Sequence, residues 1–202
     1  MWIDLLDRVQ GILLRPREEW IKIKEESFPP SRLFFSYVLI LASIPPLTRF
    51  LANLLYGAFK KPYSGWSWNV AGRDLLFSII SYIFSLIVVY VFGRIINVLA
   101  PIFSSRPNSL NSMKLAVYSM IPYWMGGLLY LVPHRGGVLK NLAGLYGIYI
   151  LYLGFATPLI DTPKEKMLNY LAASIILAMV LIVSIEIILR TLFGIWGVFR
   201  VI

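Results

Sequence analysis

The sequence predicts an all-α integral membrane bundle of five transmembrane helices, preceded by short N-terminal amphipathic helices. Three observations predict it. Hydrophobic residues make up 58% of the 202 residues. Charged residues are 14%, against about 25% in a soluble domain, so a water-soluble fold would lack the polar surface to cover itself. Apolar runs near the ~18-residue length of a spanning helix recur along the chain and leave no room for a sizeable soluble domain. Residues 1–32 read as N-terminal interfacial helices, 33–189 as the transmembrane domain and 190–202 as an apolar C-terminal tail.

Residues 1–15 read as an amphipathic helix. Trp2, Leu5, Leu6, Val9, Ile12 and Leu13 recur at helical spacing, with Asp4, Asp7, Arg8 and Arg15 off that stripe. Such a helix either lies in the membrane interface or packs on the bundle. Asp4 and Asp7 also interrupt the basic-then-apolar order of a cleavable signal, so insertion through the first span is expected. Pro16 opens a second short helix, where Glu18 and Glu19 suit the positive N-terminal dipole and Trp20 and Ile23 face membrane or bundle. Phe28-Pro29-Pro30-Ser31 ends it.

The first span is expected over 33–55, broken or kinked at Pro45-Pro46, with Arg49 near its far end. The loop 56–73 carries Trp66 and Trp68 which, with Trp2 and Trp20, are assigned to the membrane interface. The second span is expected over 75–99, capped by Asp74 and stopped by Pro101. The third runs over 110–132 with Pro122 in its middle, and the fourth over 139–160. Gly147 and Gly154 lie on one side of the fourth with Ala143, a face that lets a neighbouring backbone approach closely. Thr162-Pro163-Lys164-Glu165 has the pattern of a capping box and starts the fifth span, 163–189.

The net charge of +9 does not imply nucleic acid. The basic residues sit at the ends of apolar runs, where they anchor helices and meet anionic headgroups. Five spans put Arg8, Arg15, Arg17, Lys22, Lys24, Arg32, Arg94, Arg106, Lys114, Lys164 and Lys166 on the N-terminal side. They put Arg49, Lys60, Lys61, Arg73, Arg135, Lys140, Arg190 and Arg200 on the other. The excess predicts a cytoplasmic N-terminus and a C-terminus outside, in a multi-pass protein of the cell membrane.

Three stretches carry a family resemblance. Arg15-Pro16-Arg17-Glu18-Glu19-Trp20 is similar to a Pro-x-x-x-Trp segment. Lys114-Leu115-Ala116-Val117-Tyr118-Ser119-Met120-Ile121-Pro122 is similar to a Tyr-to-Pro segment of the third span. Gly147-Ile148-Tyr149-Ile150-Leu151-Tyr152-Leu153-Gly154-Phe155 continues through Thr162–Lys166 to Tyr170. In this order and spacing the chain resembles the Yip, or Ypt-interacting-protein, domain family of five-span membrane proteins, in its bacterial and archaeal form. The resemblance implies five spans and a cytoplasmic N-terminus. Eukaryotic members act in early secretory trafficking and associate with small GTPases. This chain lacks their long N-terminal region and its Asp-Leu-x-Gly-Pro type motif, so a GTPase partner is implied only by distant analogy.

The candidate sites each carry two readings. Glu186 and Arg190, in the favourable i,i+4 order, form an intramembrane pair lining a path or a snorkelling pair at the interface. Arg49 marks an anion-binding broken helix or an anchor beside a kink. Pro122 with Gly126 and Gly127 is a hinge or a static kink. Tyr146, Tyr149 and Tyr152 line a cavity or pack with bonded hydroxyls. The absence of Cys and the single His134 exclude thiolate and multi-histidine metal sites, and no cofactor is expected. No nucleotide-binding loop, metalloprotease helix or serine elbow occurs. The expected function is a non-catalytic scaffold or adaptor in membrane organisation or trafficking, in contact with the bilayer and forming homo-oligomers or binding other membrane proteins. The alternative is a small-solute transporter, channel or lipid scramblase.

Overall fold

A computed structural model describes residues 2–60, 68–133, 135–157 and 159–193, and every regular element among them is helical. Two short helices come first, α1 (Trp2–Leu14) and α2 (Pro16–Glu25). The chain then turns through α3 (Pro30–Leu33), a π-helical segment Phe34–Val38 and a single turn α4 (Leu39–Leu41). After a break come α5 (Ile44–Lys60) and the long α6 (Trp68–Leu99), which tightens into a 3-10 turn over Ala100–Phe103. α7 (Ser109–Gly126) also ends in a 3-10 turn, Gly127–Leu131, before α8 (Gly136–Ala156) and α9 (Lys164–Phe193).

Four stretches are long and apolar enough to cross a membrane: Pro30–Leu55, Ala71–Phe103, Gly136–Ala156 and Lys164–Leu189. The third expected span, 110–132, is not among them. α7 carries Asn111, Ser112, Lys114 and Ser119, and every residue from Ser112 to Ser119 is buried. It is the centre of the bundle, with α6 and α8 on its flanks and α1, α3 and α5 over its remaining surface. A helix wrapped by protein on all sides answers to its neighbours' polarity and not to the lipid's.

The first spanning stretch, Pro30–Leu55, is broken beside the double proline, whose missing N–H groups leave the Leu41 and Ala42 carbonyls without α-helical donors. The break falls at Ala42–Ser43, and Pro45 and Pro46 occupy the first turn of α5. Backbone N–H groups there have no intrahelical acceptor to lose. The Thr48 hydroxyl donates across to the Gly127 carbonyl at 2.7 Å. Gly127 lies so close to Pro45 that a Cβ there would sit 2.6 Å from the proline Cα. The two irregular backbones, one at the start of α5 and one at the end of α7, therefore pack on each other.

Two helix starts differ from expectation. Asp74 does not cap the second span, because α6 begins at Trp68; its carboxylate accepts instead from the Asn53 amide at 3.4 Å. The Thr162 hydroxyl pairs with Ser105, tying the loop before α9 to the loop before α7. Lys166 donates to Ser104 at 2.8 Å and Asn111 to the Leu159 carbonyl at 2.8 Å across the same seam.

α7 and α8 are antiparallel along their length. Gly126, at the end of α7, faces Ala143 near the start of α8, whereas Leu115 near the start of α7 meets Gly154 near the end of α8. Between them a Cβ on Gly147 would sit 2.5 Å from the Ser119 carbonyl oxygen. Replacing Gly147 with Leu should therefore force α7 and α8 apart and cost about 1–3 kcal/mol. A lowered melting temperature in detergent, read by tryptophan fluorescence, is the expected result, with Leu145→Ala on the exposed side of α8 near wild type.

Candidate functional site

The three stretches that resemble the Yip family converge on one place, at the end of the bundle where α1 and α2 dock. Trp20 of α2 is fully buried. Its indole Nε1 donates to the Ile150 carbonyl of α8 at 3.0 Å. Its ring meets Tyr118 of α7 edge-on, with centroids 6.0 Å apart, and its six-membered edge fills the notch left by Gly154. Trp20 was assigned above to the membrane interface, and the structure corrects this. An amphipathic indole needs one polar partner, and an intrahelical-bonded carbonyl on α8 serves in place of a headgroup.

Lys114 is fully buried beside this contact. Its ammonium donates to the carbonyls of Ile23 at 2.6 Å and Glu26 at 2.5 Å. α2 ends at Glu25, so these are carbonyls of its last turn and cap, which lack intrahelical donors. A cation there completes the hydrogen bonding and meets the negative end of the helix dipole. The Phe28 ring centre lies 5.5 Å from the same ammonium.

Arg8 of α1 closes the assembly. Its guanidinium donates to Glu19 at 2.5 Å and also to Glu26. Glu19 accepts in addition from Lys22 at 3.1 Å. The Glu19 carboxylate fits because Gly11 of α1 has no side chain; a Cβ there would lie 2.5 Å from it. Burial works against the charge of Arg8, but Tyr118, Glu26, Glu19 and Tyr37 together outweigh it and raise its pKa above the ordinary arginine value. Arg8 therefore stays charged between the carboxylates of Glu19 and Glu26. The Tyr146 hydroxyl adds a further tie by donating to the Leu13 carbonyl at the end of α1 at 3.0 Å. The apolar stripe of α1 faces protein, with Leu5, Val9 and Ile12 buried, while Leu6 stays exposed.

The other candidates are dispersed. Arg49 lies over the Phe77 ring of α6 at 4.2 Å. Pro122 is buried inside α7 with the helix continuing through it to Gly126. Gly147 and Gly154 both face α7. Tyr149 and Tyr152 are partly exposed on the outer surface of α8. Glu186 and Arg190 fall within α9, but their side chains lie outside the described residues, as do those of Trp2, Trp66, Trp68 and His134. At the far end of the bundle the buried Lys140 donates to the Tyr123 hydroxyl at 2.5 Å and lies 3.8 Å from that ring's centre.

Sequence reasoning names neither Arg8, Glu19, Glu26 nor Lys114 as site residues. Their partners outside their own helix are 11 to 91 residues away. One signal is present in the sequence: Lys114 stands one turn before Tyr118, well inside an otherwise weakly charged stretch.

Lys114→Met should leave two buried carbonyls without donors and lower stability by about 2–5 kcal/mol. The N-terminal helices should loosen first. Limited trypsin digestion should then cut at the exposed Arg17, Lys22 or Lys24 sooner than in the wild type, with the rest of the bundle still protected.

The Yip1 domain family model matches residues 11–185. Two relatives, both named inner membrane protein YohC, come from Escherichia coli strain K12 and from Escherichia coli O6:H1 strain CFT073. Each is 24% identical over 203 residues, covering 95% of this chain and 97% of the relative. No solved structure matches the chain significantly. The family match runs from α1 into α9 and takes in all three converging stretches, so the chain belongs to the Yip1 domain family and is a multi-pass membrane protein.

Proposed function

We propose that this chain is a non-catalytic, five-span membrane scaffold or adaptor that holds its N-terminal helix pair as a fixed charged platform on the cytoplasmic side. The observation that carries this reading is the Arg8–Glu19–Glu26–Lys114 cluster, in which Glu19 and Lys114 are buried and Arg8 and Glu26 half-buried. It uses its charges to fasten α1 and α2, and it leaves Arg17, Glu18, Lys24 and Glu25 of α2 facing outward. A surface of mixed charge on a rigid element suits recognition of another protein, whether a second copy or a different membrane protein.

The antiparallel pairing of α7 with α8 supports a fifth crossing. α8 is long enough to span, and α7 runs beside it end to end. With its 3-10 extension α7 reaches roughly 37 Å, more than the ~30 Å hydrocarbon core. An odd number of crossings puts the termini on opposite sides, and the distribution of basic residues favours a cytoplasmic N-terminus.

Transport or lipid scrambling has one observation in its favour, the meeting of two irregular backbones at Pro45 and Gly127. Discontinuous helices of this kind build transporter sites. Here Thr48 bonds the Gly127 carbonyl, and Arg49 rests on Phe77.

Three measurements test the proposal. The chain has no Cys, so single-cysteine labelling reads topology directly. Arg106→Cys and Arg135→Cys, both at exposed positions, should label from opposite sides of intact membranes; labelling from the same side rejects the five-span map. In liposomes the purified protein should pass neither ions nor small solutes and should not scramble fluorescent lipid. Photo-crosslinkers at Glu18 and Lys24 should give discrete heavier species in native membranes. Flux that is lost on Arg49→Ala, with folding intact, would establish transport instead.

A further inference from the structure

α1 lies across the bundle and not along it. Asp4 and Leu5 stand beside Ser36 and Tyr37 of the first spanning stretch. The Arg8 guanidinium lies over the Tyr118 ring of α7, and the Leu13 carbonyl accepts from Tyr146 of α8. These three tyrosines stand at one level. Tyr37 meets Tyr118 edge-on at 5.6 Å, and a Cβ on Gly147, next to Tyr146, would touch the carbonyl of Ser119, next to Tyr118. That level is deep: α8 continues past Tyr146 to Ala156, about 15 Å farther.

The two flanks of α1 differ. Gly11 and Arg8 face α2 through Glu19. By helical periodicity Leu6 and Leu13 stand on the opposite flank. Leu6 is 59% exposed, and Leu14, at the end of the helix, is 77% exposed. Arg15 and Arg17 follow where α1 turns into α2, exposed and in none of the ion pairs among the described residues. Leucines along one flank with arginines at its end fit a helix lying in the plane of a lipid surface. The leucines then meet acyl chains and the guanidinium groups meet phosphates.

The surface of α8 records the same boundary. Val138, Leu142, Leu145 and Ile148 are exposed, an apolar strip of about 15 Å. Tyr149 and Tyr152 follow, partly exposed, their hydroxyls bonded to no protein group among the described residues. Such phenols find their partners among headgroups and interfacial water. α9 differs. Its exposed apolar side chains run from Leu168 to Ile188, about 30 Å, the depth of a whole hydrocarbon core. Phe155 of α8 meets Tyr170 of α9 edge-on at 4.9 Å, which sets the two helices in register. Leu168 lies outside that level and Tyr152 lies inside it, so the apolar strip of α9 reaches roughly 8 Å farther out than Tyr152.

We propose that the protein thins the leaflet on its N-terminal side against α1 and α8. Phospholipid headgroups are drawn down to Arg15, Arg17, Tyr149 and Tyr152, and Leu6 and Leu14 rest on the acyl chains beneath. Against α9 the same leaflet keeps its full depth. A bilayer adjusts its thickness to such a mismatch at small cost. The contacts of Arg8 with Glu19 and of Tyr146 with Leu13 hold α1 at this level, so the low boundary is built into the fold. The inference concerns lipid alone and is independent of the scaffold reading, which concerns recognition of another protein through α2.

The test reads depth in the full-length protein reconstituted into phosphatidylcholine liposomes. The chain has no Cys, so a bimane fluorophore can be placed at one position at a time. Two quenchers are compared: iodide, present on both sides of the membrane, and phosphatidylcholine spin-labelled near the carbonyl end of its acyl chain. Leu14→Cys and Leu168→Cys should lose fluorescence to the labelled lipid and be spared by iodide. Tyr152→Cys should be quenched by iodide, and by the labelled lipid less than Leu168→Cys is. A flat boundary gives the reverse order, because Tyr152 stands deeper along the bundle than Leu168. Tyr149→Cys serves in place of Tyr152→Cys if the latter lowers the melting temperature. A Tyr152 or Tyr149 probe that reads deeper than the Leu168 probe overturns the proposal. A Leu14 probe quenched by iodide and not by the lipid overturns it as well. Neither result bears on crosslinking at Glu18 and Lys24, so failure here leaves the scaffold reading standing.

Discussion

A lysine ammonium placed where a helix runs out of donors is the interaction on which the rest of this structure depends. α2 is only ten residues long, too short to hold its shape in water without tertiary support. Its last carbonyls face the interior and have no partner within the helix. Lys114 supplies donors to two of them while fully buried. The charge is tolerable only because the carbonyls, the helix dipole and the carboxylate of Glu26 surround it, and the carbonyls are tolerable only because the charge is there. Removing either side exposes the other's cost.

That mutual requirement organises what lies around it. With α2 seated, Trp20 reaches the notch at Gly154 and the Ile150 carbonyl, which ties α2 to α8. Glu19 then faces the gap at Gly11, which admits Arg8, and Arg8 draws α1 in over Tyr118. The order runs from the core outward: α7 presents Lys114 and Tyr118, α2 covers them, and α1 covers α2. The polar side chains of α7 thus serve as the floor of an assembly outside the spanning bundle. This is why a helix so deeply buried carries a lysine, an asparagine and several serines.

The small residues serve the same end. Gly147, Gly154, Gly126 and Gly127 each occupy a place where a side chain would collide with a neighbouring element. Within a bilayer, helices gain little from hiding apolar surface, and close backbone packing takes over as the source of cohesion. The α7–α8 pair is the most extensive contact, and its glycines set how near α8 comes. α9 leans on α6 mainly through its first half, where the Tyr170 hydroxyl bonds the Ile96 carbonyl and its ring stacks on Phe103 at 5.0 Å. Beyond that it shows apolar side chains such as Met179, Val183 and Ile187 to lipid.

The sequence by itself determined the class of this protein, its helical segments and the family to which it belongs. Those follow from properties that are local or cumulative: hydropathy over a span, proline and glycine at helix ends, and three short stretches in order. It also indicated that Gly147 and Gly154 admit a close neighbour, because small residues at seven-residue spacing mark one helix face. Only the tertiary structure decided what Trp20, Lys114, Arg8, Glu19 and Glu26 do. A lysine near a helix end reads as an anchor and a tryptophan before a span reads as an interface residue, since both roles are common and need no partner. The partners here are distant in the chain, the Ile23 carbonyl for Lys114 and the Ile150 carbonyl for Trp20. Backbone carbonyls carry no side-chain signature that sequence could register. The double proline and the break beside it were legible, but the place of the break was not, because that depends on where the preceding helix stops. That was settled at Ala42–Ser43, by the packing of Pro45 and Thr48 on Gly127.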